Sequence, residues 1–282
     1  MKERITDYKA LKDECIEAIR RWFYENGNGC NAVIGLSGGK DSTIVAKLCV
    51  EALGPERVIV VSLPGEGQDS KEAEWIAEEE LGLKCMVIPI GDLLAEVMGQ
   101  APFEPSEQSV LNLPARFRMM MLYYVAQTYN GRVIGTCNES ENYLGYFTKW
   151  GDGVSDFEPL AHLTVTEVKK LGYELGISKQ WVDKTPDDGL PGSKPDEEKF
   201  GFSYELLDEY ICDHTSPNVP DDIRHKIEDM HNKSLFKTIV TSSIDSFYPE
   251  EVFEYEYGSL EIYKDFMSEF NNSDFPEEDL SF

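Results

Sequence analysis

Residues 31–42 read Asn31-Ala-Val-Ile-Gly-Leu-Ser-Gly-Gly-Lys-Asp-Ser42, and the following segment, Thr43 to Leu53, carries apolar residues at helical spacing. An apolar run too short for a helix, closed by glycines, reads as a buried strand entering a turn and then a helix. The same alternation continues outward. Arg57 to Leu63 is a β-branched strand, Asp69 to Leu81 a polar-faced helix, and Lys84 to Ile90 a third strand; Leu111 to Tyr129 is helical, and Arg132 to Thr136 is a fourth strand. Upstream, Leu11, Cys15, Ile16, Ile19, Trp22 and Phe23 share one face of a helix over Ile5 to Asn26, ended by Gly27 and Gly29. Strands separated by helices form βαβ units with right-handed crossovers. The expected fold is therefore α/β, a doubly wound parallel sheet with helices on both faces, over roughly residues 1–180. Helices at Tyr204 to Cys212 and Pro220 to Asn232 follow, and the long loops Leu63 to Ser70 and Asp183 to Gly201 read as lids or binding loops, with a linker as the alternative.

Composition excludes several classes. The 282 residues carry 26 Lys and Arg against 53 Asp and Glu, a net charge of −27. Such a balance argues against nucleic acid as a partner, because affinity for phosphate backbones rests on Lys and Arg. The longest apolar runs, such as Val58 to Leu63, are far shorter than a membrane span, and the first residues lack the apolar segment of a signal peptide. Six scattered cysteines without a Cys-x-x-Cys pair fit reduced thiols, so a cytoplasmic protein without membrane contact is expected. Asp245 to Phe282 holds twelve acids, one basic residue (Lys264) and ten aromatics. This divides the chain into a body, residues 1–244, and an acidic, aromatic-rich tail, residues 245–282, either solvated or docked.

Gly35-Leu36-Ser37-Gly38-Gly39-Lys40-Asp41-Ser42 carries the chemistry. Glycines leave backbone N–H groups uncovered, and a helix N-terminus adds partial positive charge, so the turn is an anion cradle. It misses the Walker A pattern by one position, since the residue five before Gly39 is Ile34. It does satisfy Gly-x-Ser-x-Gly, the nucleophile elbow of α/β-hydrolases, with Ser37 as nucleophile and His214, His225 or His231 late enough to serve as base. Lys40 and Asp41 separate the two readings. An elbow has no use for them, whereas a phosphate site uses the lysine against phosphate charge and the carboxylate on Mg²⁺.

Ser-Gly-Gly-x-Asp-Ser after a strand resembles the pyrophosphate-binding loop of the ATP pyrophosphatases, which cleave ATP to AMP and pyrophosphate to adenylylate a substrate. Further on stand Arg132-Val-Ile-Gly-Thr-Cys-Asn-Glu-Ser-Glu141 and Gly145-Tyr-Phe-Thr-Lys-Trp-Gly-Asp-Gly153, then Asp156. Thr136 falls at the carboxyl end of a strand, where open α/β sheets place ligands, and Glu141 stands where it could join Asp41 on a divalent cation. These strings, with Asn112-Leu-Pro-Ala-Arg-Phe-Arg118, Lys194-Pro-Asp-Glu197, Gly201 and Tyr204, resemble the NAD synthetases in order and spacing from about residue 10 to 240. Another adenylylating ligase of the superfamily, for example a tRNA-modifying one, is the alternative, and the negative charge weighs against RNA.

The resemblance implies an adenine nucleotide α-hydrolase-like fold and amidation of deamido-NAD⁺ to NAD⁺, the last step of NAD⁺ biosynthesis. The nicotinate carboxylate attacks the α-phosphorus of ATP, pyrophosphate leaves, and ammonia displaces AMP from the acyl-adenylate. The family's ATP contacts fall on Gly35, Leu36, Ser37, Gly38, Gly39, Lys40, Asp41, Ser42, Thr136 and, in the long loop, Asp187. Its deamido-NAD⁺ contacts fall on Arg116, Lys149, Asp156 and Lys237, with Mg²⁺ on Asp41 and Glu141. Asp152 is the expected partner of the nicotinate end or the incoming ammonia, and with Lys40 and Lys149 it makes up the expected catalytic set. A homodimer is also implied. Free ammonia is expected as donor, because glutamine-dependent members carry a large glutaminase domain for which this chain has no room. Some positions depart from the pattern: Val165 replaces a phosphate-contacting lysine for which Lys169 or Lys170 could substitute, Asp187 replaces a hydroxyl residue, Phe236-Lys237 replaces a His-Lys pair, and about Ser62 an arginine is missing.

Overall fold

The structure is a computed structural model and describes residues 4–184 and 194–238, all within one compact unit, Met1–Thr238. The acidic segment 245–282 and Asp187 lie outside the described residues. Four parallel strands, β1 (Asn31–Gly35), β2 (Val58–Ser62), β3 (Met86–Val87) and β4 (Gly131–Val133), form one sheet in the order β3-β2-β1-β4. Placing β1 centrally lets later strands add on either side, which is the doubly wound arrangement. Ala32 pairs with Val58 on one side and with Arg132 on the other, which fixes the register of both neighbouring strands against β1. β1 is buried along Ala32, Val33 and Ile34, as a strand covered on both faces requires.

Eleven α-helices surround the sheet among the described residues: α1 (Tyr8–Asn26), α2 (Lys40–Leu53), α3 (Lys71–Trp75), α4 (Gly91–Gly99), α5 (Glu107–Thr128), α6 (Glu139–Leu144), α7 (Val165–Glu174), α8 (Lys179–Val182), α9 (Asp196–Phe200), α10 (Tyr204–Cys212) and α11 (Asp221–Thr238). One core packs α1, α2 and α7 on a face of the sheet through Ile19, Phe23, Ile44, Leu48 and Leu171. A second packs α4 and α5 on the other through Val33, Val61, Leu94, Leu122 and Val133. A third gathers α6, α9, α10 and α11 around Leu144, Phe200, Leu207 and Ile227.

Several expected boundaries move. The third strand is two residues rather than Lys84 to Ile90, because only Met86 and Val87 find partners on β2. The fourth ends at Val133, and Ile134 instead bridges to Phe157, so Thr136 lies beyond the strand. α5 begins four residues before Leu111, capped by the Ser106 side chain on the Ser109 N–H, and carries Pro114 in its second turn. The helix after the glycine turn starts at Lys40, so Lys40, Asp41 and Ser42 are its first turn rather than loop. After α3 the chain widens into a π-helical stretch, Ile76–Glu80. The six cysteines are unbridged, and no helix among the described residues is long and apolar enough to cross a membrane.

Candidate active site

The turn between β1 and α2 lies at the carboxyl end of the central strand. Gly38 adopts φ +84°, and a Cβ there would lie 3.3 Å from Glu72 on α3, so the turn needs glycine both for its backbone sign and for close packing. Gly39 is the N-cap of α2 and supplies no side-chain acceptor, which leaves the first amides of the helix uncapped. Hydroxyls brace the turn from within: Ser42 Oγ donates to Gly39 O at 3.1 Å and Thr43 Oγ1 at 2.8 Å, while Ser37 Oγ accepts the Gly39 N–H at 3.2 Å. Uncovered amides at a helix start form an anion site.

The elbow reading fails here. Ser37 Oγ meets Ser42 Oγ at 3.1 Å and Gly39 N, while His214 lies tilted against Tyr143 and edge-on to Tyr210, and His231 Nδ1 lies 2.8 Å from Tyr143 O. Among the described residues no imidazole hydrogen-bonds to the serine, whose partners are Ser42 and Gly39.

Asp41 and Glu141 come together across the cradle although 100 residues apart. Asn138, N-cap of α6, donates its Nδ2 to Asp41 Oδ1 at 3.4 Å. It also closes a capping box with Glu141: its Oδ1 accepts the Glu141 N–H at 3.0 Å, and Glu141 Oε2 accepts the Asn138 N–H at 3.1 Å. Burial, then the charge of Asp41, push the Glu141 carboxyl up to about 8. Lys40 is 3% exposed and lies 2.7 Å from Asp41 Oδ2. Burial works against its charge, but Asp41, Glu141 and Asp196 outweigh that and hold its ammonium above the usual value. Lys40 thus faces the carboxylate pair. Asp196, buried on α9, accepts from Tyr146 Oη at 3.0 Å and Tyr204 Oη at 3.5 Å, a contribution to the site's charge that the spacing of the sequence does not reveal.

Beyond α6 the chain wraps back. Asp152 is exposed as a residue, yet the protein around its carboxyl desolvates that group and raises it; Asp152 Oδ1 accepts the Thr148 N–H at 3.1 Å and Asp152 O accepts from Cys137 Sγ. Lys237 Nζ donates to Gly145 O at 2.8 Å and Phe147 O at 3.0 Å, Lys149 Nζ donates to Phe236 O at 2.6 Å, and Arg116 Nε donates to Lys149 O at 3.2 Å. Arg116 and Lys149 are therefore neighbours, while Lys149 and Lys237 also fasten the Gly-Asp-Gly string to α11. Asp156 accepts the Val133 N–H at 2.7 Å and Tyr123 Oη at 3.3 Å, at the edge of the sheet. Lys170 lies over the Tyr8 ring on the α1 side. A cavity of about 200 Å³ opens between the loop after β2 and helices α4 and α5, lined by Gly65, Leu94, Met98, Leu111 and Arg118.

An uncapped helix start after the central parallel strand, with two carboxylates beside it, defines a nucleotide-binding α/β protein whose anion cradle lies at the switch between strands added left and right. The sequence comparisons narrow the class. The family model described as NAD synthase matches residues 13–241. An NH₃-dependent NAD⁺ synthetase of Thermococcus kodakarensis is 39% identical over 209 residues, 74% of this chain and 82% of its own, and one of Archaeoglobus fulgidus is 41% identical over 73% and 83%. Among solved structures, the NMN synthetase of Francisella tularensis matches with a TM-score of 0.78 and 31% identity over 85% of this chain and 99% of that one. The NH₃-dependent NAD synthetase of Campylobacter jejuni matches with a TM-score of 0.68 and 26% identity, over 85% and 100%. The chain belongs to the NAD synthase family.

Proposed function

We propose that this chain amidates deamido-NAD⁺ with ammonia at the expense of ATP, releasing AMP and pyrophosphate. A carboxylate is a poor electrophile, because its leaving group would be oxide. Attack by a nicotinate oxygen on the α-phosphorus breaks the bond to the β-phosphate oxygen and expels pyrophosphate. Ammonia then attacks the acyl carbon, AMP leaves, and the protons of the ammonia pass to solvent or to a base. The observation that carries this reading is the pairing of the uncapped Gly38-Gly39 turn with Asp41 and Glu141, which gathers amides and paired acids where a triphosphate needs both.

Two crowded carboxylates, one of them protonated more readily than an ordinary acid, suit a hard cation with oxygen ligands. Among the described residues no third His, Cys, Asp or Glu completes an all-protein cage, which leaves coordination positions for phosphate oxygens and water, the pattern of Mg²⁺. Asp41 and Glu141 would hold the ion, which neutralises charge on the transferred phosphoryl oxygens when bound. Lys40 balances the acids from the buried side. The backbone from Gly35 to Gly39, with Ser37 and Ser42, receives the phosphates, and Thr136 lies beside the nucleotide. Arg116, Lys149, Asp156 and Lys237 serve the acceptor dinucleotide, and Asp152, with its raised carboxyl, receives the ammonia.

Two copies of the chain are expected to associate through α4 and α5, which leave Leu93, Val97, Met120, Tyr123 and Tyr124 exposed. Six free thiols suit a reducing, cytoplasmic setting. The test is direct: supply Mg-ATP, ammonium and deamido-NAD⁺, and measure NAD⁺ and AMP. ADP in place of AMP overturns adenylylation. The close likeness to an NMN synthetase favours one second reading, a mononucleotide acceptor, so nicotinate mononucleotide is run in parallel, and the larger kcat/KM identifies the acceptor.

A further inference from the structure

Lys184 stands at the start of the second long loop and was given no role of its own by the sequence, yet its side chain ends at the phosphate turn. Its Nζ donates to Gly38 O at 3.0 Å, is ion-paired with Glu72 of α3, and lies 5.9 Å from the Trp181 ring centroid. The lysine is guided there by a packed surface. Trp181 of α8 stacks obliquely on Trp75 of α3 at 5.4 Å, and the Ser178 N–H reaches Glu80 Oε2 at 3.3 Å, so α8 is fastened to the helical segment that also closes over Gly38. The side chains of Lys184 and Glu72 remain partly exposed, at 31% and 56%.

We infer that Lys184 is a positioning residue for the nucleotide: by holding the carbonyl of Gly38 from behind, it sets the plane of the Gly38–Gly39 peptide so that the Gly39 N–H faces the phosphate oxygens. In a trans peptide the C=O and N–H point in opposite directions, so a cation on the oxygen fixes where the hydrogen points. The same cation withdraws electrons from the carbonyl and makes the amide a stronger donor, as linked hydrogen bonds polarise one another. Before nucleotide arrives, the Gly39 N–H is occupied by Ser37 Oγ at 3.2 Å, a weak partner that an anionic oxygen displaces. Glu72 shares the lysine's charge without touching the carbonyl, so it tempers the effect and is not required for it.

The inference rests on the nucleotide reading above, and the experiment separates the two. Mg-ATP binding to the full chain is titrated calorimetrically in wild type, Lys184→Met, Lys184→Arg and Glu72→Gln, alongside turnover with each acceptor. Loss of a hydrogen bond to a charged group predicts about a tenfold weaker Kd and a tenfold higher KM for ATP in Lys184→Met. The acceptor KM and kcat stay within about twofold; Lys184→Arg restores most of the affinity, and Glu72→Gln binds ATP as well as wild type or better. Equal ATP affinity in Lys184→Met and wild type overturns the inference, as does a parallel loss of ATP and acceptor affinity with a lowered Tm. A wild type that binds ATP yet forms no AMP overturns the proposed reaction and leaves the Lys184 comparison readable.

Discussion

Asp41 and Glu141 occupy the first turns of two different helices, and Asn138 is the side chain that touches both. The arrangement concentrates negative charge where the fold needs little of it. Glu141 is therefore expected to be costly to the free protein and valuable to the reaction. Glu141→Gln keeps an oxygen for the Asn138 N–H and removes the repulsion with Asp41, so the Tm should hold or rise. In contrast, kcat with saturating Mg-ATP should fall at least ~100-fold, because metal-assisted charge stabilisation is worth several kcal/mol. A near-normal kcat at saturating Mg²⁺ removes Glu141 from the chemistry. Both residues were legible in the sequence as candidates. The approach of Asp196 from α9 was not, nor was the turning of Lys40 toward the acids, since sequence spacing says nothing about which way a lysine turns.

The helices are tied to one another at their ends. Gly145 closes α6 at φ +64°, and a Cβ there would lie 2.1 Å from Ser234 Cβ on α11. Gly145→Ala combines the left-handed penalty with overpacking and should cost ~3 kcal/mol in denaturant unfolding; a loss below ~1 kcal/mol would mean that α11 yields. The N-terminal starts of α6 and α7 are joined by Arg4, which reaches Glu139 and Glu167. Burial pushes the Glu167 carboxyl up, but the bonds from Arg4 and Thr164 outweigh it, and the group stays below its ordinary value. The folded state therefore releases this proton more readily than the unfolded chain. The stabilisation is complete above the ordinary glutamate pKa and disappears as pH falls through the lower folded value. Arg4→Met should cost ~1 kcal/mol at pH 7, a figure reduced for partial exposure, and nothing once the carboxyls are protonated. A difference that is the same at pH 7 and pH 3 contradicts the assignment. These ties belong to contacts more than 80 residues apart, and the sequence offers no periodic signal for them.

Over the whole molecule, one face of the sheet is covered by α1, α2 and α7, and the other by α4 and α5, whose outer surface keeps its apolar side chains in solvent. This is the surface proposed above for association, since apolar side chains left in solvent favour burial against a partner. Sedimentation equilibrium should find a dimer, and Met120→Glu with Tyr124→Glu should shift it to monomer while far-ultraviolet circular dichroism stays unchanged. A wild type that is monomeric at micromolar concentration rejects the surface. The alternation of strands and helices announced the parallel sheet from residue 31 onward, and the cradle with it. The strand order, the two-residue length of β3 and the departure of the chain after Val133 depended on which backbone groups found partners, a matter of register rather than composition.

From its residues alone the chain determined that a glycine turn would follow a buried strand, because φ/ψ preferences and apolar periodicity act over a few residues and are written locally. The carboxylates of the site could be named in the same way. Only the tertiary structure decided that no imidazole bonds to Ser37 among the described residues, that Lys40 turns to the acids, and that Lys184, two residues past the end of α8, reaches Gly38. Such choices depend on burial and on charges brought together from distant parts of the chain, and a charge has no assigned partner until the chain around it is packed.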